Sequence, residues 1–149
     1  KCEHAKALGA DHVINYKTDD FVAYMQNHGL TANVIVDPVS GRYLSKNAAI
    51  AAMDCQIIML AFLDGRFAEV DFALLLQKRI SFHGSTLRNR SQAFKRQLRD
   101  EFVAKFYDEI ANQQFDFNIY KTLPWQDAGE AHAILERNEN AGKVVLLVQ

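Results

Sequence analysis

Apolar residues alternate between short β-branched runs and helical spacings along the first 90 residues. Residues 1–8 (KCEHAKAL) carry a helical pattern, with Gly9 where a C-terminal cap stands. His12-Val13-Ile14-Asn15 reads as a short strand. Thr18 predicts an N-cap for a helix from Asp19, with an acidic first turn and an apolar face of Phe21, Val22 and Met25. Gly29 stops that helix. Asn33 to Asp37 is a β-branched run before Pro38, the pattern of a strand buried on both faces of a parallel sheet. Gly41 to Ala52 is Ala-rich and helical, and Gln56 to Phe62 predicts a second buried strand. Asp71 caps a helix from Phe72 to Lys78, and Ile80 to Ser85 predicts a third strand.

Beyond residue 90 the texture changes. Phe94, Leu98, Phe102, Phe106 and Ile110 recur every four residues, one stripe on a long amphipathic helix with Ser91 as its N-cap. Asn118 to Leu123 reads as a strand before Pro124. Asp127 and Glu130 have capping-box spacing and open a helix to about Arg137. The turn Asn138 to Gly142 leads to a closing strand, Lys143 to Val148. Strand and helix alternating through short connections predicts an α/β fold, a doubly wound parallel sheet with helices on both faces.

The chain has 149 residues, enough to bury a core; 49% are apolar and 23% charged, as in a globular protein. Seventeen basic against eighteen acidic residues leave a net charge of −1, which offers no general attraction to nucleic acid or to an anionic membrane. No apolar run approaches the roughly 20 residues of a membrane helix. Cys2 and Cys55 lie far apart, without CxxC or histidine at ligand spacing, so neither a zinc site nor a disulfide is predicted. His12, His28, His83 and His132 fall in different elements. The expectation is a cytoplasmic protein with reduced thiols. Lys1 reads as the middle of a helix, with no initiator Met and no hydrophobic signal region, so the start of the protein is expected to be missing.

Four segments in order, AKALGADHVINYKTDDF, VIVDPVSG, LLQKRISFHGSTLRNR and DAGEAHAILERNENAGKVVLLV, resemble the medium-chain dehydrogenase/reductase superfamily, over Lys1 to Val148. GSTLRNR and AH…NENAGK favour its zinc-independent quinone oxidoreductase branch over zinc alcohol dehydrogenases. The resemblance implies a partial Rossmann-type sheet, strands 3–6 of a 3-2-1-4-5-6 order, within residues 1–90. Residues 91–149 would then be a long helix and a strand-helix-strand returning to the substrate (GroES-like) domain. No GxGxxG or AxxGVG turn is present; the seven glycines are scattered. The strand at 12–15 would therefore lose its neighbour, and the strand at 33–37 would have a bare edge open to another chain.

The implied activity of the full-length form is NADPH-dependent reduction of a quinone or a related electron-poor carbonyl or alkene, with no nameable proton donor. The cofactor supplies the hydride and the protein supplies position and electrostatics. This chain alone is expected to be inactive and to bind NADPH weakly or not at all. Alternatives are a zinc-free enoyl or alkenal reductase and a non-catalytic assembly module that keeps the nucleotide-domain shell. The expected partners are a small-molecule substrate and a second subunit paired through the strand at 80–85.

Residue by residue, the resemblance implies that Lys1 meets the ribose 2′-phosphate, where a cation discriminates NADPH by charge pairing. Tyr16 lies near the same phosphate or the adenine, although a packing tyrosine reads the same way. Val39, in the Asp37-Pro38-Val39-Ser40-Gly41 turn, lies where open α/β sheets bind ligands. Asp37 itself reads as a turn-forming carboxylate rather than a base. Phe62 and Leu63 offer backbone groups to the nicotinamide carboxamide; a hydrophobic cover for the core is the plainer alternative. Ser85 and Leu87 lie beside the nicotinamide ribose. Arg88, Arg90, Lys95, Arg96 and Arg99 form a basic stretch that Asp100 and Glu101 balance as a solvated face. Asn138 contacts the phosphate end, and turn chemistry would use an asparagine equally well. Trp125 reads as a packing residue.

Overall fold

The computed structural model describes residues 1–115 and 117–148. The chain divides into two compact units, His12–Gln92 and Lys1–Asp11 together with the chain from Ala93 onward.

The first of these units is built on a parallel sheet. Its elements are α2 (Phe21–Asn27), β1 (Ala32–Asp37), α3 (Tyr43–Ile50), β2 (Ala51–Met59), α4 (Phe72–Lys78) and β3 (Ser81–Gly84). The strands run in the order β1-β2-β3, in register from Val34 beside Gln56 to Met59 beside Gly84. The expected α/β architecture is present. Its core is one face of the sheet: Cys55 and Ile57 are fully buried, with Ile35, Met59, Ile80, Phe82 and Leu44 of α3 around them. Alternate β1 residues point the other way, and Val34 and Val36 are 61% and 60% exposed. The expectation of a strand buried on both faces therefore fails within this unit. A second layer is needed to cover that side, and the helices α2 and α4 gather instead around α3 and its face of the sheet.

Several local signals act as the pattern predicted. Asp71 caps α4 by accepting from the Ala73 and Leu74 amides at 2.9 and 3.3 Å. Gly29, at φ 63°, ends α2. Others differ. α2 starts two residues late, because Asp20 rather than Thr18 accepts from its first amides, Val22 and Ala23. His12–Asn15 forms no ladder, since no described strand lies beside it to supply hydrogen bonds. β2 stops at Met59, short of the predicted Phe62, and it contains a bulge where Asp54 takes a left-handed conformation (φ 62°). Lys78 donates to the Ala48 and Ala49 carbonyls at 3.2 and 2.9 Å, placing a cation on the C-terminal end of α3.

The second unit holds α1 (Cys2–Ala7), α5 (Gln92–Ala111), β4 (Ile119–Pro124), a 3₁₀ turn (Trp125–Asp127), α6 (Ala128–Glu136) and β5 (Lys143–Leu147). β4 and β5 are parallel, and Ala131 and Ile134 of α6 are buried. The Asp127–Glu130 capping box does not form. Asp127 sits in the 3₁₀ turn at φ −90°, ψ 23°, not the extended geometry of a cap, and Glu130 pairs with Arg137 at 3.1 Å. The predicted long helix is present, but none of its residues is buried. A four-residue repeat drifts about 40° per step around a helix of 3.6 residues per turn, so the stripe from Phe94 to Ile110 spirals instead of facing one neighbour. Trp125, read as a packing residue, is half exposed.

Candidate functional site

The carboxyl ends of β1, β2 and β3 open into a pocket of about 640 Å³, and its shape follows from a set of loop contacts. Asp37, buried at the end of β1, accepts from the Val39 and Ser40 amides at 2.7 and 2.9 Å and from Asn47 Nδ2 at 2.8 Å. These bonds hold Ser40 in a left-handed conformation (φ 53°). Asp37 is thus the turn-forming carboxylate its position suggested. Ser40 Oγ donates to the Ala61 carbonyl at 2.8 Å, and the Asp64 amide donates to the Val39 carbonyl at 2.9 Å. Asp64 also accepts from the Arg42 amide at 3.1 Å and pairs with its guanidinium at 2.9 Å. The loop after β1 is thereby tied to the loop after β2 by both backbone and side chain.

The pocket wall is mostly backbone and small residues. Gly65 and Gly84 have no atom within 4 Å of the place a Cβ would occupy, which leaves room for a flat ring against the main chain. Of the residues expected at a cofactor, Phe62 and Ser85 border the pocket. The Val39 carbonyl helps to form the loop beneath, while Leu63 and Leu87 are exposed outside the lining. Tyr16, also in this unit, is 61% exposed. Thr86, next to Ser85 in the expected loop, borders the pocket as well, and so do Met59, Gly65, Arg66 and Phe67, which sequence reasoning missed. Their only signal was position just after a strand, which no side-chain motif marks.

In the other unit, Lys1 and Asn138, drawn from opposite ends of the chain, come together: Lys1 Nζ donates to Asn138 Oδ1 at 2.5 Å. Asn138 is itself left-handed, at φ 55°. Arg137 beside it pairs with Glu139 at 2.7 Å, which holds the Glu139 carboxyl below the usual carboxylate range. In the basic stretch, Arg99 is taken up by Asp100 at 2.6 Å.

Residues 8–146 match the zinc-binding dehydrogenase family. The chain belongs to that family. It lies within the medium-chain dehydrogenase/reductase superfamily, and its relatives include a 2-haloacrylate reductase of Burkholderia sp., 25% identical over all of this chain and 45% of that protein. Among solved structures, the apo form of the JamJ enoyl reductase is similar over 100% of this chain and 45% of its own, with a TM-score of 0.77 and 24% identity. A putative NADPH:quinone reductase from Bacillus thuringiensis is similar over 99% of this chain and 45% of its own, with a TM-score of 0.74 and 21% identity. The chain therefore spans less than half the length of each of these relatives. Despite the zinc in the family's description, no three His, Cys, Asp or Glu side chains among the described residues gather to hold a metal ion. Cys55 is buried and its thiol is pushed up by burial, so it is poorly suited to ligate. No described helix is long and apolar enough to cross a membrane.

Proposed function

We propose that this chain forms the nicotinamide-facing part of an NADPH-dependent oxidoreductase that reduces quinones or related electron-poor carbonyls. The observation that carries the reading is the pocket at the carboxyl ends of three parallel strands, where open α/β sheets receive ligands. A bound nicotinamide would supply the hydride. The chain's own part is to bind and orient. Backbone groups of the Phe62–Leu63 loop serve the carboxamide, Val39 shapes the loop beneath, and Ser85 borders the ribose, with Leu87 following it in the same loop. Tyr16, in the same unit, serves the phosphate-bearing end; Lys1 and Asn138, which meet in the other unit, are proposed separately as a contact for a ribose 2′-phosphate. The family membership supports this reading, as does the similarity to a fold named for NADPH:quinone reduction.

A second reading, reduction of an activated alkene, is favoured by the relative named 2-haloacrylate reductase. Steady-state assays of the whole protein with NADPH against quinones and 2-haloacrylates separate the two. Titration of the ¹⁵N-labelled whole protein with nicotinamide mononucleotide is expected to move the amides of residues 59–68 and 84–86. Shifts confined to other residues would sink the nicotinamide reading.

The assembly proposal follows from β3. It pairs with β2 on one side and with no described strand on the other, so a second copy adding there would extend the sheet. A monomer in analytical ultracentrifugation of the whole protein would count against it.

A further inference from the structure

We propose that Arg66 makes the pocket selective for an anionic acceptor, a small planar molecule whose carboxylate is conjugated to the double bond or carbonyl being reduced. This rests on the reading of the pocket as the nicotinamide site. Arg66 is the single charged residue among those bordering the pocket; the others are glycines, serines, a threonine and apolar side chains. Among the described residues it has no ion-pair or hydrogen-bond partner. The nearest acid in sequence, Asp64, is already held by Arg42 through both carboxylate oxygens, at 2.9 and 3.1 Å. Glu69, three residues on, makes no pair either. What Arg66 does have is a stacking surface, its guanidinium carbon lying 5.7 Å from the centroid of the Phe67 ring.

Such stacking restrains a planar fork without consuming its N–H donors, which remain for a carboxylate in bidentate geometry. Leu44, Met59, Leu60 and Phe62 line the same pocket with apolar side chains. A ligand that covered this wall would exclude water from the pair and strengthen it. A neutral quinone gains nothing from the cation, whereas a conjugated carboxylate gains charge-assisted hydrogen bonds. The cofactor's own phosphate is the other oxyanion that could reach an arginine here. Arg66 follows Gly65 on the loop after β2, among the residues proposed for the nicotinamide ring and not for the phosphate-bearing end, which favours the acceptor.

The test compares trans-cinnamate with its neutral isostere cinnamamide, and both with nicotinamide mononucleotide, by ¹⁵N NMR titration of the whole protein and its Arg66→Gln and Arg66→Lys variants. Cinnamate is expected to move Gly65, Gly84 and Ser85 and to bind about tenfold more tightly than cinnamamide. Arg66→Gln should abolish that difference, while Arg66→Lys keeps part of the preference. Equal affinity for the acid and the amide, or absence of cinnamate binding, would overturn the proposal. So would a loss in Arg66→Gln that falls on the mononucleotide instead. Should cinnamate bind through Arg66 while the mononucleotide does not bind at all, the anion site stands and the nicotinamide reading falls.

Discussion

Lys1 Nζ reaches Asn138 Oδ1 at 2.5 Å, although the two residues are 137 positions apart in the chain. The asparagine oxygen holds the ammonium at one place on the surface, beside a turn that its own left-handed backbone shapes. A restrained cation is what discrimination of a 2′-phosphate requires. In the proposed role of Lys1 at a 2′-phosphate, its replacement by Met weakens NADPH by about tenfold and leaves NADH unaffected. Calorimetric titration of the whole protein with both cofactors measures it. Equal losses for the two would show that Lys1 only steadies the turn.

Asp37 anchors the pocket from beneath. Truncation to Ala removes three hydrogen bonds and leaves the buried Asn47 amide without its acceptor. The expected cost is about 2–4 kcal/mol, because an unsatisfied buried donor adds its desolvation to the lost bonds. Urea denaturation reads the value. Asn47→Ala should be strongly non-additive with it, since both remove one contact; simple addition of the two effects would argue against the coupling.

Two of the pocket's three glycines, Gly41 and Gly84, should behave oppositely. A methyl group on Gly41 would lie 2.9 Å from Asp64 Oδ2 and 3.0 Å from the Asp64 main chain, at φ 55°. The main chain there cannot give way easily, so Gly41→Ala should cost about 1–2 kcal/mol or more and disturb the pocket. Gly84 has open space beside it. Gly84→Ala should leave the melting temperature nearly unchanged but weaken nicotinamide mononucleotide, because the methyl enters the space the ring needs. Undiminished ligand binding in Gly84→Ala would remove that part of the wall from the site.

Acid stability has an identifiable contributor in Asp54. Arg79 holds it through two contacts of 2.6 Å and keeps its carboxyl below the usual carboxylate range. A carboxyl with a lowered folded pKa adds stability that is complete above the unfolded value of about 4 and is lost as pH falls through the folded value. Both partners are exposed, so water and salt screen the pair and its effect is small. Asp54→Asn should flatten the stability–pH profile below about pH 4, and the difference should shrink in high salt. Parallel profiles for the two proteins would show that the pair contributes nothing.

Much of the architecture was legible locally. The β-branched run ending at Asp37, the Asp71 cap and the stop at Gly29 each depend on groups within one turn of each other, so the pattern carries them. The same holds for the parallel order of the three strands, which short helical connections impose. Where the sequence misled, a competing neighbour decided. Asp20 displaced Thr18 as a cap, and Glu130 turned to Arg137 rather than to the start of its helix.

The amino-acid sequence by itself determined the alternation of elements, the sheet's parallel sense and the segments that lie near its carboxyl edge. Only the tertiary structure decided which face of β1 is covered, that Lys1 meets Asn138 and, among the described residues, that His12–Asn15 has no ladder and that Arg66 borders the pocket without a partner. Caps and periodicity are encoded among residues a few positions apart. The pocket is made from the backbone ends of strands that distant pairing brings side by side, and backbone carries no side-chain mark to read.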